Sequence, residues 1–547
     1  MSIKLIKKTF VIGLLTLMVS CSKLDRKPYD SLTPEDFNSS EGSLQAVTNG
    51  NYARIKTMAL GWHRVMEFPG DNVSLSGTTT SHLFFLYNYQ RIQNNSFTTS
   101  FWTNSYQIIV SASKIIESVP EGKSKESDQL LGENYFLRAY LHFTLVNVFG
   151  LPYSHGRNNP GVPIKLDGNP DNQPARSTVG EVYDVVLKDL DKAEVLMNTF
   201  KSNIYASAEA AWGLKSRVYL YMEDNQKAID YANKVIGSSR FSLLPTSQLA
   251  LYPTYKPETN KETIMAVKFI VDADHPSNGI NNIGSLYSVI NGAGYGEMYA
   301  SKTYLDLIRQ YPQDVRNKFI EPNYNTNSTA TWAMYVDNTQ KYIMVSVQKT
   351  GNDYKVVSTG ALLDKQTNIN GGFDYFITPA GGEKKKLIIE PEMNVRGGYP
   401  QFFITKCSRQ EGQAQLWSPI VLRLAEMYLN RAEGYAKLGN GAKAIEDINL
   451  IRTRAGIPAY GLYNAAALPA GKTLMDIVLE ERRLELAWEG HRKFDVFRNK
   501  RDMDRNYPGT HLSGNSPISL IKYTDKFVVE FIPQSQILSQ PNLVQNP

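Results

Sequence analysis

The stretch from Pro419 to Ile457 constrains the fold of this chain more than any other, because it reads as two short helices folded back on each other. Tyr428, Ala432 and Tyr435 follow one another at intervals of four and three residues, which places them on one face of the first helix. Glycine accepts the left-handed backbone that ends a helix, so the run 439–441 (GNG) indicates the turn between the two helices.

The same spacing occurs twice in the chain, which indicates a repeat. Small or apolar residues lie 3, 12, 16 and 19 positions after Ala432 and at the same distances after Ser216. These residues are Tyr435, Ala444, Ile448 and Ile451 in one unit, and Tyr219, Ala228, Ala232 and Val235 in the other. The pattern is typical of tetratricopeptide repeats, in which small residues lie where helices approach closely. One such unit cannot bury its apolar face alone, so further helix pairs are expected to stack against these two.

Other segments with helical spacing precede and follow the repeats. They are Ser40–Met58, Phe101–Val119, Asp128–Phe149, Val179–Met197 and a last helix at Thr473–Gly490. The sequence therefore predicts a mainly α fold, a helical repeat scaffold of about four helix pairs at about 40–240 and 418–499.

Between about 241 and 417 the pattern changes to short strand-like runs separated by Gly- and Asn-rich loops. The runs are Thr263–Phe269, Lys341–Val347, Leu387–Ile389 and Gln401–Thr405, and a further strand is predicted at Phe527–Ile532. We interpret this part as a large, loop-rich insertion containing short β-strands, within a single domain at 39–547.

The first 20 residues have the features of an export signal. Lys4, Lys7 and Lys8 form a basic start, and an apolar run of 11 residues follows at Thr9–Val19. This run is shorter than the roughly 20 residues that span a bilayer. It ends in MVSC at 18–21, which resembles a bacterial lipobox with methionine in place of the usual leucine. We therefore predict a lipoprotein signal peptide at 1–20, lipidation of Cys21 and a tether at 21–38. An ordinary signal peptide beside a cysteine is the alternative.

Charge and cysteine content limit the classes of partner. The chain has two cysteines, so lipidation of Cys21 leaves Cys407 without a disulfide partner, and burial must hold the fold together. Removal of Lys4, Lys7 and Lys8 lowers the formal charge from +6 to +3, which indicates no nucleic-acid partner. No later segment is long and apolar enough for a membrane span, so the lipid is the predicted attachment to the membrane.

The chain resembles the SusD/RagB family. The resemblance is carried by LRLAEMYLNRAEGYAKLGNGAKAIEDINLIRTRAG (422–456), LEERRLELAWEGHRKFDVFRN (479–499), GENYFLRAYLHFTLVNVFGLPY (132–153), VYDVVLKDLDKAE (182–194) and the terminal NLVQNP. It implies a lipoprotein on the outer surface of the outer membrane that binds oligosaccharide or polysaccharide. It also implies a SusC-like TonB-dependent transporter as partner, on which such proteins form a lid.

No catalytic template is present in the sequence. It has no H-E-x-x-H, G-x-S-x-G or Walker loop, and its seven histidines never pair at the spacing of metal ligands. Glu481, Glu485 and Glu489 recur every four residues, but Arg482 and Arg483 lie beside them and hold carboxylates ionised. We interpret this helix face as a salt-bridged seam, and we expect a protein without catalytic activity, cofactor or bound metal.

Sugar binding requires exposed aromatic rings and planar hydrogen-bonding groups in loops. Two regions offer this mixture, namely the stretch GWHRVMEFPGDNVSL (61–75) and the middle insertion. The candidate ligand-binding residues are Trp62, His63, Asp71 and Asn72 in the first region, and Tyr295, Tyr299, Trp332, Arg396 and Tyr399 in the second. Trp62 and Trp332 are the rings from which we expect the largest contribution. Trp102 and Trp212 have helical spacing and are expected in the core.

Together these features favour a non-catalytic glycan-binding lipoprotein at the cell surface that delivers oligosaccharide to a SusC-like transporter. One alternative is the lid of a transporter for peptides or another non-glycan nutrient, which would use the same scaffold. A surface glycoside hydrolase is the other alternative, which the lack of a catalytic carboxylate pair in a loop disfavours.

Cys21→Ala tests the predicted anchor. The variant should be released as soluble protein or keep its signal uncleaved, because the acyl chains that give stable membrane attachment would be missing. Membrane fractionation and labelling with palmitate measure this. A variant that still fractionates with the outer membrane and incorporates the label would contradict lipidation at Cys21.

Overall fold

The computed structural model describes residues 41–77, 81–274, 282–513 and 517–547. The predicted signal peptide, Cys21 and the tether lie outside these residues. The helices of the described part are α1 (Glu41–Glu67), α2 (His82–Tyr87), α3 (Ser96–Ser118), α4 (Lys125–Phe149), α5 (Val179–Leu196), α6 (Ala208–Tyr221), α7 (Asn225–Gly237), α8 (Thr246–Leu249), α9 (Val271–Asp274), α10 (Lys302–Ile308), α11 (Leu424–Lys437), α12 (Gly441–Arg454), α13 (Leu474–Glu485), α14 (Arg492–Arg498) and α15 (Gln534–Ser539). None of them is both long and apolar enough to cross a membrane.

The helices stack in pairs, as the repeat spacing predicts. The pairs are α1 with α3, α4 with α5, α6 with α7, and α11 with α12. The stack is continuous because α3 packs on α4, α5 on α6, and α7 on α11, although almost 190 residues separate the last two along the chain. The predicted mainly α fold with about four helix pairs is confirmed.

Small residues allow the close contact between α7 and α11. Ala432 is fully buried, and so are Ala228 and Ala232 of α7. A Cβ atom at Gly434 would lie 2.8 Å from Cγ1 of Ile229, so α11 accepts no side chain there. The small residues at the tetratricopeptide positions therefore allow the backbones of α7 and α11 to approach each other closely.

Side-chain caps determine where several helices begin. Thr178 and Glu181 form a capping box at the start of α5, and Thr473 and Asp476 form another at the start of α13. The side chain of Asn440 accepts a hydrogen bond from the Lys443 backbone N–H and begins α12.

The predicted last helix is too long. It ends at Glu485 instead of Gly490, because Trp488 and Gly490 adopt left-handed backbone with φ of 63° and 79°. This turn places the Trp488 ring in the interior, with its centroid 4.8 Å from that of Tyr304. The chain then continues as α14.

The insertion contains small antiparallel sheets. The strands of the described part are β1 (Val73–Leu75), β2 (Pro160–Pro163), β3 (Arg176–Thr178), β4 (Thr263–Ala266), β5 (Met298–Ala300), β6 (Ile320–Pro322), β7 (Thr331–Val336), β8 (Tyr342–Thr350), β9 (Asp353–Val356), β10 (Asp364–Thr367), β11 (Phe373–Ile377), β12 (Lys385–Lys386), β13 (Ile388–Pro391), β14 (Val395–Arg396), β15 (Tyr399–Pro400), β16 (Phe402–Ile404), β17 (Ile420–Arg423), β18 (Met503–Asp504) and β19 (Leu520–Ile521). The four strand-like runs predicted between 241 and 417 coincide with β4, β8, β13 and β16.

The largest sheet has the order β13-β7-β8-β9, and a second has the order β10-β11-β12. Two-stranded pairs connect distant parts of the chain. β4 of the insertion pairs with β17, which leads into α11, and β1 pairs with β5.

The strand predicted at Phe527–Ile532 is wrong. The chain there forms a 3₁₀ turn at Lys526–Val528 and pairs with no strand of the described residues. Val528, Val529 and Ile532 are buried, and the Glu530 N–H donates to the Val148 carbonyl at the end of α4. The apolar run therefore packs against helices instead of joining a sheet.

Ala432→Leu tests the helix contact. The larger side chain should overpack the interface between α11 and α7 and lower the free energy of unfolding by about 1–3 kcal/mol. Ala442→Leu is the matched control, because Ala442 is exposed on α12 and should tolerate the change within about 0.5 kcal/mol. Denaturant unfolding measures both. Equal losses for the two variants would contradict the close approach at Ala432.

Candidate functional site

The acidic face of α13 and the turn after it is a buried ion network. Glu481, Glu485 and Glu489 are all buried. Glu485 accepts from Arg423 at 2.6 Å and from Arg316 at 3.1 Å. The remaining carboxylate contacts are Glu481 with Arg316 and Arg452, Glu485 with Arg454, and Glu489 with Arg423 and Lys406.

The surrounding cations keep Glu485 and Glu489 charged. Burial alone would raise the pKa of Glu489, but Arg423 and Lys406 lower it to about 2. Burial likewise opposes ionisation of Glu485, and Arg454, Arg423 and Arg316 together hold its pKa well below the usual range. A glycosidase needs one carboxyl group with a raised pKa and access to substrate, and these residues offer neither. The interpretation of this face as a salt-bridged seam is confirmed.

The first predicted binding region does not form a loop around Trp62. Trp62 and His63 lie within α1, and only 7% of Trp62 is exposed. The Trp62 ring packs edge-on against Tyr140, with centroids 6.4 Å apart. The expectation that Trp62 offers an exposed stacking surface is therefore wrong, because the helix directs its ring into the core.

His63 is also enclosed. Its Nε2 lies 2.7 Å from the hydroxyl of Tyr287, and the rings of Phe68 and Trp417 pack edge-on against it. Burial, together with the nearby Arg64, lowers the pKa of His63 to about 3. The imidazole is neutral at physiological pH and belongs to the core.

Asp71 and Asn72 form a joint between distant segments. Both oxygens of Asp71 accept from Arg492, at 2.6 and 2.9 Å, and Asn72 Oδ1 accepts from Arg483 Nε at 2.8 Å. Burial would raise the pKa of Asp71, but Arg483 and Arg492 hold it well below its usual range. The polar groups that the sequence offered to a sugar are thus used to fasten α13 and α14 to β1.

The second predicted region brings three of its residues together. Arg396 donates from Nη1 to the Tyr295 carbonyl at 2.7 Å and from Nη2 to Glu297 Oε1 at 2.8 Å. Tyr399 pairs with Arg396 across the β14–β15 hairpin. Tyr295 is 47% exposed, Arg396 is exposed and Tyr399 is half-buried. These side chains can meet a ligand from solvent.

A close backbone contact positions the hairpin. A Cβ atom at Gly397 would lie 2.2 Å from the Ser76 carbonyl oxygen, so only glycine fits there, and its φ of 59° is left-handed. Ser76 in turn donates from N and Oγ to the Glu297 carbonyl, both at 3.0 Å. The hairpin tip, the end of β1 and the chain before β5 therefore hold one another in place.

Tyr299 and Trp332 do not join this group as exposed rings. Tyr299 is 1% exposed, with its ring 5.9 Å from that of Phe403, so its prediction as an exposed ring is wrong. Its place in β5, opposite Ser74, turns the side chain inward. Trp332 lies in β7 opposite Glu390 and Ser346, half-buried against the core beneath the sheet.

Tyr324 extends the exposed group and was not among the sequence candidates. It is 38% exposed, and its hydroxyl donates to Glu390 Oε2 at 2.7 Å. Asn394, next to the hairpin, donates to the Tyr324 carbonyl at 3.3 Å. The signal that could have found it is the tyrosine among turn-forming residues in PNYNTN at 322–327.

We call this surface the aromatic band, comprising Tyr295, Glu297, Tyr324, Asn394, Arg396 and Tyr399. It offers two exposed rings together with a guanidinium, a carboxylate and an amide. Rings of this kind stack on the apolar face of a sugar, and the polar groups pair with hydroxyls. Within the described residues, no group of three His, Cys, Asp or Glu side chains is placed to hold a metal ion.

Two family models match different parts of this chain. A family model described as "SusD family" matches residues 261–547, and one described as "Starch-binding associating with outer membrane" matches residues 23–220. The chain is 26% identical over 509 residues to SusD-like protein P2 of Formosa agariphila, covering 90% of each chain.

Solved structures share the fold. A SusD superfamily protein of Bacteroides thetaiotaomicron superposes with a TM-score of 0.71 at 23% identity, covering 93% of this chain and all of the other. A SusD-like carbohydrate binding protein of Bacteroides vulgatus gives a TM-score of 0.66 at 18% identity, covering 92% and 97%.

Glu67→Gln tests the electrostatics of the joint beside Asn72. Glu67 accepts from the Gly490 N–H at 2.8 Å, and burial raises its pKa to about 8. Between about pH 4.5 and pH 8, the folded state keeps a proton on Glu67 that the unfolded state has released. The free energy of unfolding therefore falls as the pH rises through that window. The stability of the wild type relative to Glu67→Gln should fall by about 1 kcal/mol per pH unit.

Denaturant unfolding at several pH values measures the difference between the two proteins, which removes the titration that they share. Glu383→Gln, at an exposed loop position, controls for the loss of a carboxylate from the surface. A difference between wild type and Glu67→Gln that stays constant from pH 5 to pH 8 would contradict a protonated Glu67.

Proposed function

Because the chain belongs to the SusD/RagB family, we propose that it is a non-catalytic cell-surface lipoprotein that binds oligosaccharide and passes it to a SusC-like TonB-dependent transporter. The observation that carries the binding role is the aromatic band, where Tyr295 and Tyr324 expose their rings and the Arg396 side chain is bonded to the Tyr295 carbonyl. The descriptions of the matching family model, starch-binding and associating with the outer membrane, support the ligand class and the location.

The geometry supports recognition of a flat, hydroxylated ligand. The guanidinium of Arg396 is held by two bonds, to the Tyr295 carbonyl and to Glu297, so its plane and its remaining N–H groups have a fixed direction. Tyr324 is fixed through Glu390, which also pairs with Arg309 at 2.9 Å. A ligand therefore meets side chains that the fold already holds in place, so less conformational entropy is lost on binding.

The same openness implies weak binding. An exposed band leaves many sugar hydroxyls hydrated, and each stacking contact contributes about 1 kcal/mol. We expect dissociation constants in the micromolar to millimolar range, corresponding to roughly −4 to −8 kcal/mol. Weak binding also suits a protein that must release its ligand to a transporter.

Absence of turnover is part of the proposal. Glu297, in the aromatic band, and Glu390, which holds the Tyr324 hydroxyl, each form an ion pair with arginine, Arg396 and Arg309 respectively. Both carboxylates are thus engaged by a cation, whereas a glycoside hydrolase needs two carboxyl groups that face the substrate. Incubation with a glycan panel should release no new reducing ends. Their appearance would favour the hydrolase instead.

Tyr295→Ala tests the platform. Loss of the ring should weaken binding of a saccharide found in a panel of plant, host and microbial glycans by about 5- to 100-fold, the equivalent of roughly 1–3 kcal/mol. Isothermal titration calorimetry measures the affinity, and the melting temperature should stay unchanged because the ring is exposed.

Tyr460→Ala is the matched control, because Tyr460 has the same exposed fraction of 47% but lies beside Gln313 and Asn370 instead of the band. Equal losses in the two variants would contradict the assignment of the band. Folded protein that co-purifies with a transporter yet binds no glycan of the panel would favour the lid of a transporter for a non-glycan nutrient.

A further inference from the structure

A groove of about 630 Å³ lies between α1, α3, the loop at 163–174 and α15, away from the residues of the aromatic band. Tyr106 and Val110 of α3, both partly exposed, form its apolar floor, whereas Trp102, which also lines it, is only 2% exposed. The centroids of the Trp102 and Tyr106 rings are 4.9 Å apart, and the Tyr106 hydroxyl donates to the Pro163 carbonyl at 2.8 Å. The volume lies in the range of sites for small molecules, about 300–1,000 Å³.

The charged side chains among the described residues that line the groove are all basic. Arg54, Lys114 and Lys165 contribute to its lining, and none of the described residues that line it is acidic. Arg54 and Lys114 are exposed, and neither has a carboxylate within 4 Å among the residues that the structure describes. Arg54 instead donates to the neutral Gln107 side chain. Two cations therefore face solvent in the groove without compensation.

Two carboxylates next to the groove, Asp167 and Glu117, already hold its wall. Asp167 accepts from the Lys165 ammonium at 2.6 Å and from Asn172 Nδ2 at 2.7 Å. Glu117 accepts from the Gly168 N–H at 2.9 Å. These carboxylates hold the loop and leave Arg54 and Lys114 unpaired.

Lys165 holds together the loop at 163–174, which forms one wall of the groove. It is 4% exposed, and its ammonium also donates to the carbonyls of Asn169 and Asn172, at 2.5 and 2.6 Å. The three bonds use all its protons, so Lys165 shapes the groove while Arg54 and Lys114 remain for a ligand. Amide side chains of Gln107, Asn172, Gln173, Gln536 and Gln540 complete the lining.

We propose that this groove is a second saccharide site, selective for acidic sugars that carry carboxylate or sulfate groups. The Tyr106 ring suits the apolar face of a sugar, the amides suit its hydroxyls, and the two uncompensated cations favour anionic groups on the ligand. A neutral saccharide would leave both cations without partners. The saccharide class of the ligand rests on the proposed function, whereas the site and its charge selectivity rest on the groove itself.

The test compares an acidic trisaccharide with its neutral form. Trigalacturonate, its trimethyl ester and a sulfated galactose trisaccharide are titrated into purified protein at low and high salt. We expect the two acidic probes to bind at least about tenfold more tightly than the ester at low salt, with this preference reduced at high salt. The carboxylate and sulfate arms show which anionic group the groove prefers.

Charge-removing variants locate the binding. Arg54→Gln combined with Lys114→Gln should abolish the preference for acidic probes, while Arg54→Lys should keep most of it. Lys188→Gln is the matched control, because Lys188 is also an exposed helical lysine without a carboxylate within 4 Å in the described part of the chain. Tyr295→Ala should leave the affinity for acidic probes unchanged. Unchanged melting temperatures confirm that the variants are folded.

Several outcomes overturn the proposal. Equal affinity for trigalacturonate and its ester would remove the charge selectivity, and equal binding of an acidic peptide such as tri-glutamate would remove the selectivity for saccharides. Loss in Lys188→Gln equal to that in the double variant would mean non-specific attraction to positive charge. Loss in Tyr295→Ala but not in the double variant would assign acidic sugars to the aromatic band, which leaves the proposed function intact and removes the second site.

Discussion

The buried contact of Glu485 with three arginines is the interaction on which the two halves of the molecule depend. Its partners come from three places in the chain, namely Arg316 in the insertion, Arg423 at the end of β17 and Arg454 at the end of α12. Glu262, beside β4, also pairs with Arg423 and Arg454. Burying such ions costs free energy, and removal of one partner typically costs about 3–5 kcal/mol because a charge remains uncompensated. These ion pairs therefore fix the position of the insertion relative to the repeats, because separating them would leave buried charges without partners.

This constraint extends to the surface. Arg483, on the opposite side of α13 from Glu485, holds Asn72 and the Asp71 carbonyl, which position β1 beside β5. Ser76, just after β1, contacts Glu297 and the tip of the β14–β15 hairpin. A series of contacts thus leads from the interior to the exposed rings of the aromatic band. The band can bind a ligand with little rearrangement because the side chains of Arg396, Glu297 and Tyr324 are held by hydrogen bonds.

Prediction of the site from sequence was limited by burial. Trp62, His63, Asp71 and Asn72 have the residue types of a sugar site, yet the structure uses their rings in the core and their polar groups in the joint. Tyr295, Arg396 and Tyr399 were predicted and do meet at the surface. Tyr324 was missed, and so was the groove between α1 and α15, because it is formed by segments that no local pattern connects.

The sequence by itself determined the parts of this protein that depend on local spacing. Helix periodicity and charge order are properties of neighbouring residues, so they can be predicted from the sequence. This holds for the repeat units around Ser216 and Ala432, the change to short strands after residue 240 and the salt-bridged seam of α13. Only the tertiary structure decided which aromatic rings reach solvent and which cations lack partners. Those properties depend on segments that are far apart in the chain, such as α1 at Arg54 and the loop around Lys165, which line the same groove, and spacing along the chain carries no information about them.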